Sequence, residues 1–272
     1  MGKRDGHKQD LCRLFDEFDA RGDAEALVAY LVSNSSLPGP RGNLELAQAF
    51  GDVVGERAGE GQTPESLWAL CDGLTGITAA EAPVNDPREF LPFCGAVGLG
   101  AMGAAGARYS GPALGALRDL ARDPRWRMRE AVCVWLQQIL AVHPSEVLPE
   151  FKSWVGAGHP LELRAVAASM AEPSLLMDGA MAMDALALHQ GILAQLQEMV
   201  DRRSDAFRAL RKGLGYTLSV VVYAVPQEGF AYLAELAGVD DRDVHWILKQ
   251  NLNKNRLVKN YPAEVDLLRA SL

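Results

Sequence analysis

Residues Gly98-Leu99-Gly100-Ala101-Met102-Gly103 carry the spacing of a phosphate cradle. In a G-x-G-x-x-G turn the glycines let backbone N–H groups close on a pyrophosphate at a helix N-terminus. That chemistry needs a buried strand before the turn and, about 20 residues on, a second strand ending in an acid for the ribose. Here Pro92 and Gly95 interrupt any preceding strand, Ser110-Gly111-Pro112 falls where the following helix should run, and an arginine-rich stretch stands in place of the second strand. The glycines therefore read as small residues that let neighbouring helices approach closely. No cofactor is expected.

The other reactive side chains form no constellation. His143 and His159 precede prolines in expected turns, His189 and His245 fall in expected helices, and His7 falls in a start expected to lack order. The sequence holds no H-E-x-x-H, G-x-S-x-G or P-loop pattern. Cys12, Cys71, Cys94 and Cys133 are widely separated, with no Cys-x-x-Cys pair and no His at zinc spacing, so buried thiols are expected rather than disulfides or a metal site. No residue qualifies as catalytic.

Charge is informative through its placement. Residues 1–89 hold 16 acids against 8 bases, whereas residues 90–272 hold 19 of each. Within that neutral remainder, three windows each carry a net charge of +4: Arg108 to Arg129, Arg202 to Lys212 and Arg242 to Lys259. A globally acidic chain repels nucleic acid in bulk, but phosphate contacts depend on local patches.

The elements that must position these charges are helices. Aromatics are only 7% of the chain, and alanine, leucine and glycine dominate, which favours close-packed helices over sheets. Apolar residues recur at helical spacing between Pro- and Gly-marked breaks, predicting helices over 88–107, 112–122, 125–141, 145–156, 160–171, 174–199, 203–224, 226–237, 241–253 and 262–271. Upstream, a helical hairpin from Asp10 to Tyr30 is broken at Gly22, and Leu44, Ala47, Phe50 and Val54 mark a further helical face. Thr63-Pro64-Glu65 opens the helix of Trp68 and Cys71. Asp240 with Asp243 suggests an acidic capping pair, and the four methionines from Met170 to Met183 are expected mainly to fill core, with an adaptable contact surface as the alternative. The proline-rich stretch from 80 to 92 suggests a boundary between an acidic N-terminal part, 1–86, and a repeat-like part, 87–272. With no apolar leader and no stretch of the roughly 20 residues a membrane span needs, a cytoplasmic protein is expected.

Asp123-Pro124-Arg125-Trp126-Arg127-Met128-Arg129-Glu130-Ala131-Val132 returns in design 35 residues later, from His159 to Ala168. A period inside roughly 20 to 50 residues marks stacked helical repeats. The segment resembles the turn and second-helix start of a HEAT repeat, which implies an all-α, right-handed HEAT/armadillo-like solenoid of antiparallel helix pairs, about six in number. The resemblance further implies that Arg129 and Arg164, at equivalent positions, form a structural ladder by reaching carboxylates or carbonyls of the adjacent repeat. Arg125 and Arg127 lie off the apolar face of Met128, Ala131, Val132, Trp135 and Leu136, so they are expected to meet a partner.

The string from Trp246 to Leu257 resembles the late helix of HEAT-like proteins grouped with bacterial DNA alkylation-repair glycosylases. That likeness implies a curved stack whose basic concave face holds DNA, with aromatic side chains and a carboxylate near the lesion. The family's catalytic Trp-Asp pair has no counterpart, because none of Trp68, Trp126, Trp135, Trp154 and Trp246 is followed by Asp. The expected function is a non-catalytic binding scaffold that uses Arg125, Arg127, Arg242, Lys249, Lys254 and Arg256 for a protein or peptide. A nucleic-acid binder or divergent glycosylase is the alternative.

Overall fold

The computed structural model describes residues 2–59 and 64–272; Thr63, the expected helix cap, lies outside them. Among the described residues the chain is helix and turn throughout, with 15 α-helices and no strand. It divides into two compact units, Met1–Val147 and Leu148–Leu272. The proline-rich stretch from 80 to 92 lies inside the first.

The first unit contains α1 (Lys3–Arg21), α2 (Glu25–Ser33), α3 (Leu44–Gly59), α4 (Pro64–Thr75), α5 (Phe90–Ala105), α6 (Ala107–Leu120) and α7 (Trp126–Val142). Helices α1, α3, α5 and α7 pack in series, with α4 and α6 against α5. This alternation of stacked and flanking helices is the layer order of helical repeats. The N-terminal segment is helical from Lys3, and His7 sits inside α1 with Nδ1 2.8 Å from the Tyr30 hydroxyl. Burial of Leu11, Leu14, Phe15 and Phe18 fastens α1. The ion pairs Arg4–Asp52 and Lys8–Glu56 on its exposed flank add little.

The fingerprint glycines lie in the interior of α5 and form its packing surface. A Cβ on Gly95 would come within 2.6 Å of the Cys71 carbonyl oxygen, and one on Gly103 within 2.6 Å of Ala113 Cβ. Substituents on Gly98 and Gly100 would collide with the Cys71 sulfur and the Trp135 side chain. Close approach of α4, α6 and α7 offsets glycine's helix cost of about 1 kcal/mol per residue. The break after α5 is a single extended residue, Gly106, so α6 starts five residues before the expected 112 and runs through Pro112. Proline there forgoes one backbone bond to the Arg108 carbonyl, on an exposed part of the helix.

Arg125 and Arg127 overturn the expectation of partner contact. They are 2% and 5% exposed. Arg125 forms a fork with Asp123 (3.0 and 2.7 Å) and donates to the carbonyls of Ala82 and Ile77. Arg127 donates to Glu89 Oε2 (3.0 Å), the Gly39 carbonyl (2.6 Å) and Asn85 Oδ1 (2.9 Å). Both lie off the apolar face of α7, as expected, but the loops 35–43 and 77–89 cover that flank and need their carbonyls satisfied. Arg129 donates to the carbonyls of Asp123 and Pro124, both at 2.9 Å, and closes its own turn.

The second unit contains the rest of α8 (Pro144–Ala157), then α9 (Pro160–Met170), α10 (Gly179–Glu198), α11 (Asp205–Ala224), α12 (Pro226–Ala237), α13 (Arg242–Leu252), α14 (Asn255–Val258) and α15 (Pro262–Ala270). Helices α9, α11 and α13 pack in series, α10 lies against α9 and α11, and α12 against α11 and α13. The all-α helical-repeat class is thus built separately in each unit. Arg164 is half-buried on α9, its side chain beside Gly213 of α11. Helix α10 starts at Gly179 rather than 174 because the Asp178 side chain accepts from Met181 N–H (2.8 Å). Asp241, not Asp240, caps α13 by accepting from the Asp243 and Val244 N–H groups. Asp243 instead pairs with Arg202 and Arg211.

His189 is buried between α10 and α11, with Nδ1 2.8 Å from the Ala185 carbonyl and Nε2 3.0 Å from Thr217 Oγ1. Burial pulls its pKa from the usual 6.5 down to about 4. A depressed histidine stabilises the fold fully above its unfolded pKa and loses that contribution as pH falls through the interval to the folded value. Urea unfolding should therefore lose on the order of 3 kcal/mol between those limits, and His189→Gln should flatten the slope in that window. Replacing Arg127 by Ala leaves Glu89 charged and buried, at an expected cost of about 3–5 kcal/mol. Arg242→Ala, at a solvated site, should stay within about 0.5 kcal/mol; equal urea midpoints for these two variants would contradict the assignment of Arg127 as an internal brace.

Candidate functional site

Two of the expected partner-binding residues meet in one place. Lys254 and Arg256 stand on the wall of a groove of about 560 Å³ in the second unit, with Leu176, Met177, Tyr216, Val220 and Tyr223 as its apolar surface. Tyr216, Val220 and Tyr223 follow one another at four- and three-residue spacing on α11, hence share a face. Helix α11 is fixed at its start by Ser204, whose hydroxyl accepts from Phe207 N–H (3.2 Å). Lys254 comes from the tight turn between α13 and α14, at the N-cap position of α14, and Arg256 from the short α14 itself.

A buried asparagine sets the distance between those two elements. Asn251 donates to the carbonyls of Leu214 and Ile247, both at 2.8 Å, and accepts from Ser219 N–H at 2.8 Å. It thereby locks α13 on α11 immediately before the basic turn. Gly215 supports the same approach, since a Cβ there would reach 3.0 Å from the Trp246 ring. Arg256 donates to the Tyr216 hydroxyl (2.8 Å) and lies 5.0 Å from that ring's centroid, with Lys254 Nζ at 5.6 Å. Tyr216 thus gathers two cations over one half-exposed ring.

The basic windows at 202–212 and 242–259 are partly consumed inside the unit. Arg202 lies 2.7 Å from Asp241 and 3.2 Å from Asp243, and Arg211 sits 2.9 Å from Asp243 while its guanidinium stacks 4.1 Å from the Trp246 centroid. Burial works to raise the Asp241 pKa, but hydrogen bonds from Arg202 and from the Val244 and Asp243 backbone outweigh it and leave the carboxyl below its usual value. Arg242, with 83% of its side chain exposed, and Lys249 lie on the solvent side of α13 and do not line the groove. Arg125 and Arg127 belong to the first unit.

The groove contains residues that sequence spacing did not single out, Tyr216, Tyr223 and, behind them, Asn251, together with Met177 from the methionine group. Met177 is 88% exposed and Met183 is also exposed, so of the methionines expected to fill core, Met170 does so and these two do not. A polar Asn251 within the apolar stripe of Val244, Ile247, Leu248 and Leu252 was the one available signal for the clasp. Two of the thiols are poor nucleophiles, since burial pushes Cys71 up to about 12 and raises Cys94 as well. Among the described residues no group of three or more His, Cys, Asp and Glu side chains could hold a metal ion, and no helix is long and apolar enough to cross a membrane.

No protein-family profile matches the chain, and no curated protein does. Among solved structures, a designed armadillo repeat protein aligns over 82% of this chain and 98% of its own, at 12% identity and a TM-score of 0.30.

Proposed function

We propose that the chain is a non-catalytic helical-repeat scaffold whose groove in the second unit holds an acidic segment of a partner protein. The observation that carries this reading is Tyr216 with Lys254 and Arg256 gathered on it, beside an apolar trough formed by Met177, Val220 and Tyr223. An apolar side chain of the partner enters the trough, and a carboxylate one or two residues away meets the two cations. Tyrosine, arginine and methionine are the residue types enriched at protein interfaces. The four cysteines stand as thiols, which supports a reducing cytoplasmic setting.

The second reading is nucleic-acid binding, including a divergent alkyl-base glycosylase; it rests on the likeness of the late helix, which delivers Lys254 and Arg256 to the groove. The two readings separate by salt dependence and sequence preference. Panning a random displayed-peptide library on the whole chain should enrich peptides with an apolar residue beside Asp or Glu. Their affinity should drop at least about tenfold in the Lys254→Glu/Arg256→Glu variant and in Tyr223→Ala, and hold in Arg242→Glu. Failure to enrich such peptides, together with duplex binding at about 50 mM salt that collapses as salt rises, would replace the first reading with the second.

A further inference from the structure

Helices α10 and α12 line a groove of about 300 Å³ in the second unit that shares no residue with the one walled by Lys254 and Arg256. Met183, Leu186 and Ala187 stand at i, i+3 and i+4 on α10, and Glu228, Tyr232 and Glu235 at i, i+4 and i+7 on α12. Each helix thus presents a single face, and the groove runs along both. From Glu228 to Glu235 is two helical turns, about 10.5 Å of rise. Met183 is half-exposed, which leaves an adaptable apolar side chain at the mouth.

The charge of this groove is opposite to that of the other. Glu228 and Glu235 are exposed, they are the charged residues of the lining, and neither has a cation partner among the described residues. Tyr232 adds a second unmet demand. It is only 8% exposed, yet its hydroxyl reaches solvent and has no hydrogen-bond partner among the described residues. Burial, and after it the charge of Glu235, raises its pKa, so it stays a neutral hydroxyl near a carboxylate and can accept from an ammonium or guanidinium group. Cations are therefore favoured here, and the acidic segment assigned to the other groove is repelled.

We propose that this groove docks a basic amphipathic helix of a partner protein. Lys or Arg at two positions seven residues apart meets Glu228 and Glu235, and leucine-type side chains between them rest on Met183, Leu186 and Ala187. Two turns of a docked helix repeat the spacing of the glutamates, and its residues at i+3 and i+4 face the groove between the two cations. An extended chain would cover the same distance in about three residues and turn alternate side chains away.

The test is fluorescence anisotropy of the full chain with a labelled alanine-based peptide carrying Lys at i and i+7 and Leu at i+3 and i+4. It should bind saturably, at least about tenfold more tightly than a peptide of the same composition whose leucines lie on the opposite face. The variant Glu228→Lys/Glu235→Lys, altered at exposed positions and checked for an unchanged helical circular dichroism spectrum, should weaken binding at least about tenfold. Tyr232→Phe, which keeps the ring, should weaken it about threefold. Lys254→Glu/Arg256→Glu should leave it unchanged, so the outcome is independent of the acidic-segment reading. No saturable binding up to millimolar concentration, equal affinity for the two peptides, unaltered binding by either α12 variant, or loss of binding in Lys254→Glu/Arg256→Glu would each overturn the proposal.

Discussion

The first unit depends on a charge placed where water cannot reach it. Arg127, buried beneath two loops, must find acceptors for its N–H groups, and Glu89, buried beside it, must find a cation. Each meets the other's need, and the surplus donors of Arg127 tie down Gly39 and Asn85. Arg125 does the same for Ile77, Ala82 and its own Asp123. Two guanidinium groups from one helix start therefore fix the loops that precede α3 and α5. A lone buried charge is far more costly than a satisfied one, which makes this arrangement a constraint on the conformation more than a source of stability.

The second unit solves a related problem with a neutral group. Asn251 and the Asp241, Asp243, Arg202 and Arg211 cluster join α13 to α11 and to the loop before it. The helix pair then presents Tyr216 under Lys254 and Arg256. The same internal pairing explains why two segments, each with a net charge of +4, offer so few cations at the groove: Arg202 and Arg211 of the first are engaged with aspartates, and the cations that line the groove are Lys254 and Arg256 of the second.

Much of the helical layout was legible in the sequence, because Pro and Gly punctuate it; the Asp178 cap was not read, which put the start of α10 at 174. Pro112 misled as a helix stop, since periodicity and proline position alone do not show that the true break is the extended Gly106. The arginines were harder for a different reason. A helical wheel tells which side of α7 faces its own layer, but not which loop from 40 or 90 residues away folds over the other side. Arg125 and Arg127 therefore read as outward-facing while being among the most buried side chains. Lys254 and Arg256 were legible as basic residues near a helix end, but their union with Tyr216 depends on Asn251 and Gly215, whose roles exist only once α11 and α13 are packed.

The central claim is that binding resides on the α11 face beside the α13–α14 turn. The most direct measurement is an NMR titration of isotope-labelled protein with a peptide carrying an apolar residue next to two glutamates. The account predicts shifts concentrated at Met177, Tyr216, Tyr223, Lys254 and Arg256, with the exposed face of α13 around Arg242 and Lys249 unchanged. Shifts confined to Arg242 and Lys249, or spread evenly over the exposed basic residues, would contradict it.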